Sequence, residues 1–308
     1  MALHRLTSLT MGVPNVAETG TYYTDFGLTP DDDGWFASLD GGRQLRVVHA
    51  PTRRLVEVNI GVDTPDDLAA AASRLRRLGV EAVVEKGTLT AYDRATAVRA
   101  VLEVTPRLTQ DPVAAPVHNG PGRPDRTGSR APGVLRTGRV RPRRLGHAVV
   151  GTTDFETTTA FFRDGLGFKA SDHIKGRGAF LRCSTDHHNI LVLAAPTVFL
   201  HHSSWQVDDV DEVGRGASAM LEDHPERHVW GLGRHHAGSN FFWYLKDPAG
   251  NFSEYYSDMD CIVDDQLWTP EQLEGAKGLF SWGPPPPPSF LAPEDLADLM
   301  TATHSGPG

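Results

Sequence analysis

Four times along the chain a short run of alternating apolar and polar residues gives way to a helix-period pattern opened by capping residues. Residues 8–13 (SLTMGV) read as a strand, after which Pro14-Asn15-Val16-Ala17-Glu18 turns into a helix ending at Gly27-Leu28. Residues 57–62 (EVNIGV) are a second strand, followed by Asp63-Thr64-Pro65-Asp66-Asp67 and a helix over 68–78 that stops at Gly79. Residues 147–152 (HAVVGT) are a third, with Asp154 as N-cap of a helix through Phe162 that closes at Gly165-Leu166-Gly167-Phe168. Residues 202–207 (HSSWQV) are a fourth, with Asp208-Asp209 leading into a helix over 210–221. Short strands follow every helix. The pattern predicts an α+β protein of four βαβββ units, two to a domain.

Between the second and third units the pattern breaks. Residues 120–144 hold eight arginines and one acid, Asp125, with Gly and Pro scattered through them and no hydrophobic period, as expected of an interdomain connector. The segment carries net +7 and leaves −16 on the rest of the chain, which favours an arm wrapping an acidic body over an anion-docking strip. The expected organisation is a first domain over 1–115, a connector over 116–144, a second domain over 145–265 and a C-terminal arm over 266–308. In the arm, Ser281-Trp282-Gly283 and the five prolines Pro284 to Pro288 indicate polyproline II. Trp282, Phe290 and Leu291 supply anchors for packing over the second domain or a subunit boundary, a reading favoured over docking in an SH3-type groove. Pro293-Glu294-Asp295 opens a short helix.

Composition excludes several classes. With 39% hydrophobic and 22% charged residues the chain reads as globular with a proper core. Its longest apolar runs, such as residues 190–196, fall far short of the ~20 residues that span a bilayer. Residues 1–10 lack a basic patch followed by an apolar stretch, so no membrane partner and a cytoplasmic location are expected. Two cysteines make no disulfide framework, and a net charge of −9 has the wrong sign for a dedicated nucleic-acid binder. The 14 histidines fall mostly after position 145, and the chemistry is expected there.

The paired βαβββ units resemble the vicinal oxygen chelate superfamily, in which two modules curl into an open barrel around a metal. In that architecture the opening residue of a module's first strand and one residue of a late strand point inward, and strand alternation lets each copy reuse such positions. In the second domain they are His147, His202 and Glu254, the last within Asp247-Pro248-Ala249-Gly250-Asn251-Phe252-Ser253-Glu254. A lone strand histidine is more often a satisfied polar residue than a ligand; three at corresponding positions of repeated units are a ligand set. Two imidazoles and a carboxylate make the facial triad typical of Fe(II), and Mn(II) fits the same donors. Ser8, Glu57 and Glu103 are the expected first-domain counterparts, so that domain is expected to be metal-free. His201 is expected on the opposite side of its strand from His202.

His188 in Asp186-His187-His188-Asn189, His235 in Gly233-Arg234-His235-His236 and Tyr244 in Phe241-Phe242-Trp243-Tyr244 lie 14 residues before His202 and 19 and 10 before Glu254. This ordered set resembles the type I extradiol ring-cleavage dioxygenases. The resemblance implies that His188 is the acid/base beside the open metal positions, that Tyr244 hydrogen-bonds a catecholate oxygen and that His235 assists substrate binding. His187 is the rival for the acid/base role. Trp230 stands four residues before Arg234, where relatives taking acidic catechols can carry an arginine. With Phe180 and His236 it is expected to contact substrate, and an apolar or aromatic-substituted catechol is preferred. The expected reaction inserts both atoms of O2 into the catechol ring beside its hydroxyls, and a homo-oligomer is expected. The alternatives on the same fold are a metal-dependent glyoxalase-like isomerase or lyase and a non-catalytic sequestering protein of the bleomycin-resistance kind.

Overall fold

Each half of the chain folds into one open mixed sheet built of two βαβββ units joined through their first strands; the computed structural model describes residues 2–301. In the first sheet, β1 (Leu3–Val13), α1 (Val16–Asp25), β2 (Thr29–Pro30), β3 (Trp35–Ser38) and β4 (Gly42–His49) form one unit. The other comprises β5 (Arg54–Val62), α2 (Pro65–Arg77), β6 (Ala82–Glu85), β7 (Thr88–Tyr92) and β8 (Arg99–Val104). The strand order is β2-β3-β4-β1-β5-β8-β7-β6. The connector holds the short helix α3 (Pro132–Leu135). The second sheet takes β9 (Arg144–Thr152), α4 (Phe155–Ala160), β10 (Lys169–Ile174), β11 (Gly178–Arg182) and β12 (Ile190–Ala194), then β13 (Phe199–Gln206), α5 (Val210–Leu221), β14 (His228–Arg234), β15 (Phe241–Lys246) and β16 (Phe252–Ser257). Its order is β14-β15-β16-β13-β9-β12-β11-β10, extended at the β10 edge by β17 (Gln272–Leu273) from the arm.

The helix starts follow from local chemistry. Thr64 and Asp67 close a capping box around Pro65 at the head of α2. Asp154 accepts from the Thr157 amide at 3.1 Å and Asp209 from the Glu212 amide at 3.1 Å, capping α4 and α5. α4 runs on through a π-helical turn (Phe161–Leu166) and ends at Gly167, whose φ of 100° only glycine adopts without strain. The first strands begin earlier than alternation alone shows, so His147 and His202 each sit fourth in their strand rather than at its head.

A continuous apolar core joins the two halves. Phe26, at the end of α1, stacks face to face on Tyr255 of β16 with centroids 3.9 Å apart and planes 2° from parallel, and the Tyr255 hydroxyl donates to the Phe26 carbonyl at 2.6 Å. Both rings are fully buried. Phe26→Ala is therefore expected to cost about 3–5 kcal/mol by leaving a cavity between the domains. Urea unfolding followed by far-UV circular dichroism measures this, and a loss below about 1 kcal/mol would show the seam to be loosely packed.

Five of the eight arginines in 120–144, from Arg136 onward, bond to the body of the protein, while Arg123 and Arg126 bond within the connector. Arg136 forms a fork on Asp209 at 2.9 and 2.6 Å and reaches Glu212, Arg143 pairs with Asp40, and Arg144 grips Asp186 with both nitrogens. The segment is a wrapping arm. The C-terminal arm packs over the second domain: Pro284 accepts from the Trp230 indole at 2.7 Å, and α6 (Pro288–Leu291) buries Phe290. The closing helix α7 (Leu296–Thr301) starts just past Pro293-Glu294-Asp295, and 302–308 lie outside the described residues. No helix among the described residues is long and apolar enough to cross a membrane.

Candidate metal centre and its cavity

The middle of the second sheet brings the three expected donors together. β16, β13 and β9 are neighbours, and Ser204 stands opposite both Glu254 and His147. Residues opposite each other, and residues two apart on one strand, share a face, so Glu254, His202 and His147 project to one side. Among the described residues they form the sole group of this kind able to hold a metal ion. The first sheet shows why it has no equivalent. Its register puts Val101, not Glu103, in the place of Glu254, because Glu57 pairs with Arg99 as His202 pairs with Phe252. Glu103 lies one same-face step further on, a difference that alternation cannot resolve; it accepts from Thr7 at 2.6 Å, while Glu57 is neutralised by Arg99.

The donor atoms fit a divalent ion. His147 Nε2 lies 3.3 Å from His202 Nε2 and 3.1 Å from Glu254 Oε2, and His202 Nε2 lies 3.8 Å from that oxygen. Cis ligands about 2.1 Å from an octahedral ion are about 3.0 Å apart. Glu254 Oε2 is buried and has no hydrogen bond of acceptable angle, while Oε1 accepts from Asn240 at 3.1 Å, so one carboxylate oxygen is held and the other is free to ligate.

His201 departs from expectation. A β-bulge falls at this residue, so its ring does not point away but touches that of His202 on the same cavity. Its Nε2–H donates to the Phe290 carbonyl at 2.8 Å, and its Nδ1 accepts from His202 Nδ1–H at 2.8 Å. That fixes the tautomer of His202 with the Nε2 lone pair facing the other donors. Burial pushes His201 down to about 4, so it is neutral.

A cavity of about 540 Å³ opens on this cluster. His188, His235, Tyr244 and Phe180 all line it. His235 donates from Nδ1 to the Leu279 carbonyl and accepts the Tyr244 O–H at 2.8 Å on Nε2, leaving the phenol lone pairs toward the cluster. The His188 ring lies 4.2 Å from that of His147, and burial, reinforced by the neighbouring imidazoles, pulls its pKa well below the ordinary value. His187 does not reach the cavity: it is fully buried behind His188. Trp230 and His236 also lie outside the lining. Trp230 stacks behind Tyr244, 5.7 Å away at 8°, and is sealed by the arm through Pro284 and Phe290. His236 turns outward to within 3.5 Å of Glu271. Sequence spacing placed both near the site, but an arm arriving from more than 40 residues away covers Trp230. Asn240 escaped the sequence because nothing marks a loop asparagine as partner to a carboxylate 14 residues on, and Phe290, expected as an anchor of the arm, also accepts from His201 through its carbonyl.

Residues 144–255 match the family model described as Glyoxalase/Bleomycin resistance protein/Dioxygenase superfamily. The match spans most of the second domain, from β9 into β16. The similarity to curated proteins in this glyoxalase/dioxygenase group is partial. The chain is 39% identical over 155 residues, 50% of its length, to Metapyrocatechase 2 of Cupriavidus necator, of which that stretch covers 48%. It is 30% identical over 157 residues, 47% of its length, to the manganese-dependent 2,3-dihydroxybiphenyl 1,2-dioxygenase of Geobacillus genomosp. 3, covering 50% of it. The chain thus spans about half the length of the curated relatives it matches. Among solved structures, 2,2',3-trihydroxybiphenyl 1,2-dioxygenase from Sphingomonas wittichii strain RW1 superposes with a TM-score of 0.70 at 20% identity, over 92% of this chain and 100% of that one. This superposition shows that the shared fold runs through both halves of the chain.

Proposed function

We infer that the protein is an Fe(II)-dependent extradiol dioxygenase acting on a catechol with a bulky apolar substituent. The observation that carries this reading is the cavity itself: a three-donor cluster, a neutral imidazole and a phenol oxygen converge at one end of a largely apolar space. His147, His202 and Glu254 would hold the ion. When bound, it supplies adjacent positions at which a catecholate and dioxygen meet, with a path for electron density between them. Mn(II) suits the same donors, and the relative from Geobacillus is named as manganese-dependent.

The chain's own residues do the rest. His188 Nε2 is the cavity-side nitrogen and takes a proton from a catechol hydroxyl, then returns it to the oxygen freed as the O–O bond breaks, which stays in the product. Tyr244 accepts from the substrate's second hydroxyl, since its own proton is committed to His235. The ring carbon–carbon bond beside the hydroxyls breaks and both atoms of O2 end in the product. Phe180, Val149, Leu191 and Ala237 exclude water around the ring, and Phe290 and Leu291 of the arm close the space.

Metal-loaded protein mixed with a catechol without oxygen, then exposed to it, is expected to consume one O2 per catechol and give a yellow ring-opened product. Metal-dependent turnover without oxygen uptake would favour an isomerase. For substrate class, an aryl group that withdraws about 100 Å² of apolar surface at about 25 cal/mol per Å² gains about 2.5 kcal/mol. A 3-arylcatechol is accordingly expected to exceed catechol by roughly 60-fold in kcat/KM, with a catechol bearing a carboxylate side chain lower still. Lys175 and Arg177 reach the cavity wall, but Lys175 is paired with Glu274 at 2.6 Å. A clear preference for the carboxylated compound would overturn the substrate class and leave ring cleavage standing.

A further inference from the structure

We propose that Asp172 and His187 are positioning residues that set the tautomer of His188. Asp172 on β10 is 4% exposed and His187 is fully buried, and neither lines the cavity. Asp172 Oδ2 lies 2.9 Å from His187 Nε2, and His187 Nδ1 lies 3.0 Å from His188 Nδ1. A carboxylate oxygen only accepts, so His187 carries its proton on Nε2 and donates it to Asp172. The Nδ1 lone pair of His187 then accepts from His188 Nδ1–H. With its proton held on that side, His188 presents an unprotonated Nε2 to the cavity, as a base for a catechol hydroxyl requires.

The chain is anchored at its far end. Asp172 Oδ1 accepts from the Glu271 amide at 2.7 Å, and the strand that follows, β17, pairs with β10 beside Asp172. Trp268 packs edge-on against His187, 5.2 Å between ring centroids. The carboxylate is thus fixed at both oxygens and the imidazole on both ring nitrogens, which leaves no rotational freedom for the opposite tautomer.

The proposal rests on the ring-cleavage reading above, and its test separates the two. In Asp172→Asn the amide oxygen still accepts from Glu271, but the amide nitrogen faces His187 as a donor. His187 then accepts on Nε2, donates from Nδ1, and forces the His188 proton onto Nε2, where it blocks proton abstraction. The expected result is normal metal content, an unchanged anaerobic catechol Kd, and kcat lower by about 10²-fold, with kcat/KM falling in step. His187→Phe, which shares no bond with Glu271, removes the acceptor of the His188 Nδ1–H and leaves the tautomer unset, so kcat is expected to fall there too, by a smaller factor. Both effects should vanish in a His188→Phe background, which a merely structural role would not produce. Unchanged kcat in both single variants, or an undiminished loss in the His188→Phe background, would overturn the proposal. Wild-type kcat in His188→Phe alone would instead overturn the acid/base reading beneath it.

Discussion

His202→Ala is expected to take the bound divalent metal from about one ion per chain to none after desalting, as read by elemental analysis, and His147→Ala and Glu254→Ala to do likewise. With three protein donors there is no spare ligand, and each is preorganised: His202 through His201 and the Phe290 carbonyl, Glu254 through Asn240. Removing one leaves two donors in a buried site whose remaining positions only water can fill. Glu57→Ala is the matched control, because Glu57 occupies the corresponding place in the first sheet but is neutralised by Arg99. Full metal retention by His202→Ala would refute the ligand set, and loss of metal in Glu57→Ala would refute the assignment of the centre to the second domain alone.

His188→Phe is expected to keep both metal and catechol while turnover falls by about 10²- to 10⁴-fold, the usual worth of a well-placed proton acceptor. Phenylalanine fits where the imidazole already packs against Phe180, 5.0 Å between centroids, so the loss is chemical rather than structural. Stopped-flow traces would show normal anaerobic binding followed by slow ring opening once oxygen is admitted. Wild-type turnover would remove His188 from the reaction. Weakened binding with unchanged kcat would assign it to substrate affinity instead.

Elements whose signal is local were legible in the sequence: the four helices, the N-cap Asp154, the Asp208-Asp209 entry to the fourth helix, and the repeat that aligned His147 with Ser8 and His202 with Glu57. Positions set by a single residue of register were not. Glu103 and Val101 occupy the same face two residues apart, and only the pairing of β5 with β8 chooses between them. The bulge that turns His201 toward His202 inserts one residue into the ladder and leaves no mark on the hydrophobic pattern. Trp230 illustrates the third kind of blindness: its neighbours in sequence are site residues, but its environment is decided by Pro284 and Phe290, which reach it through a segment without periodicity. Asp172, His187 and His188 are joined by hydrogen bonds across β10 and the approach to β12, which no spacing rule encodes.

Arg53, in the turn between β4 and β5, is 2% exposed although it belongs to the first domain. It donates to the Leu200 carbonyl, two residues from His202, and forks onto Asp295 of the arm at 2.6 and 2.8 Å. The two halves share a topology but are not mechanically independent. Ser8, Glu57 and Val101 are not needed to hold the ligands, whereas Arg53, Tyr22 and Phe26 of the same domain bond to residues within two positions of His202 or Glu254. A domain that supplies no ligand can thus still set how firmly its neighbour's ligands are held, and a substitution at Arg53 is expected to reach the metal centre through the Leu200 carbonyl.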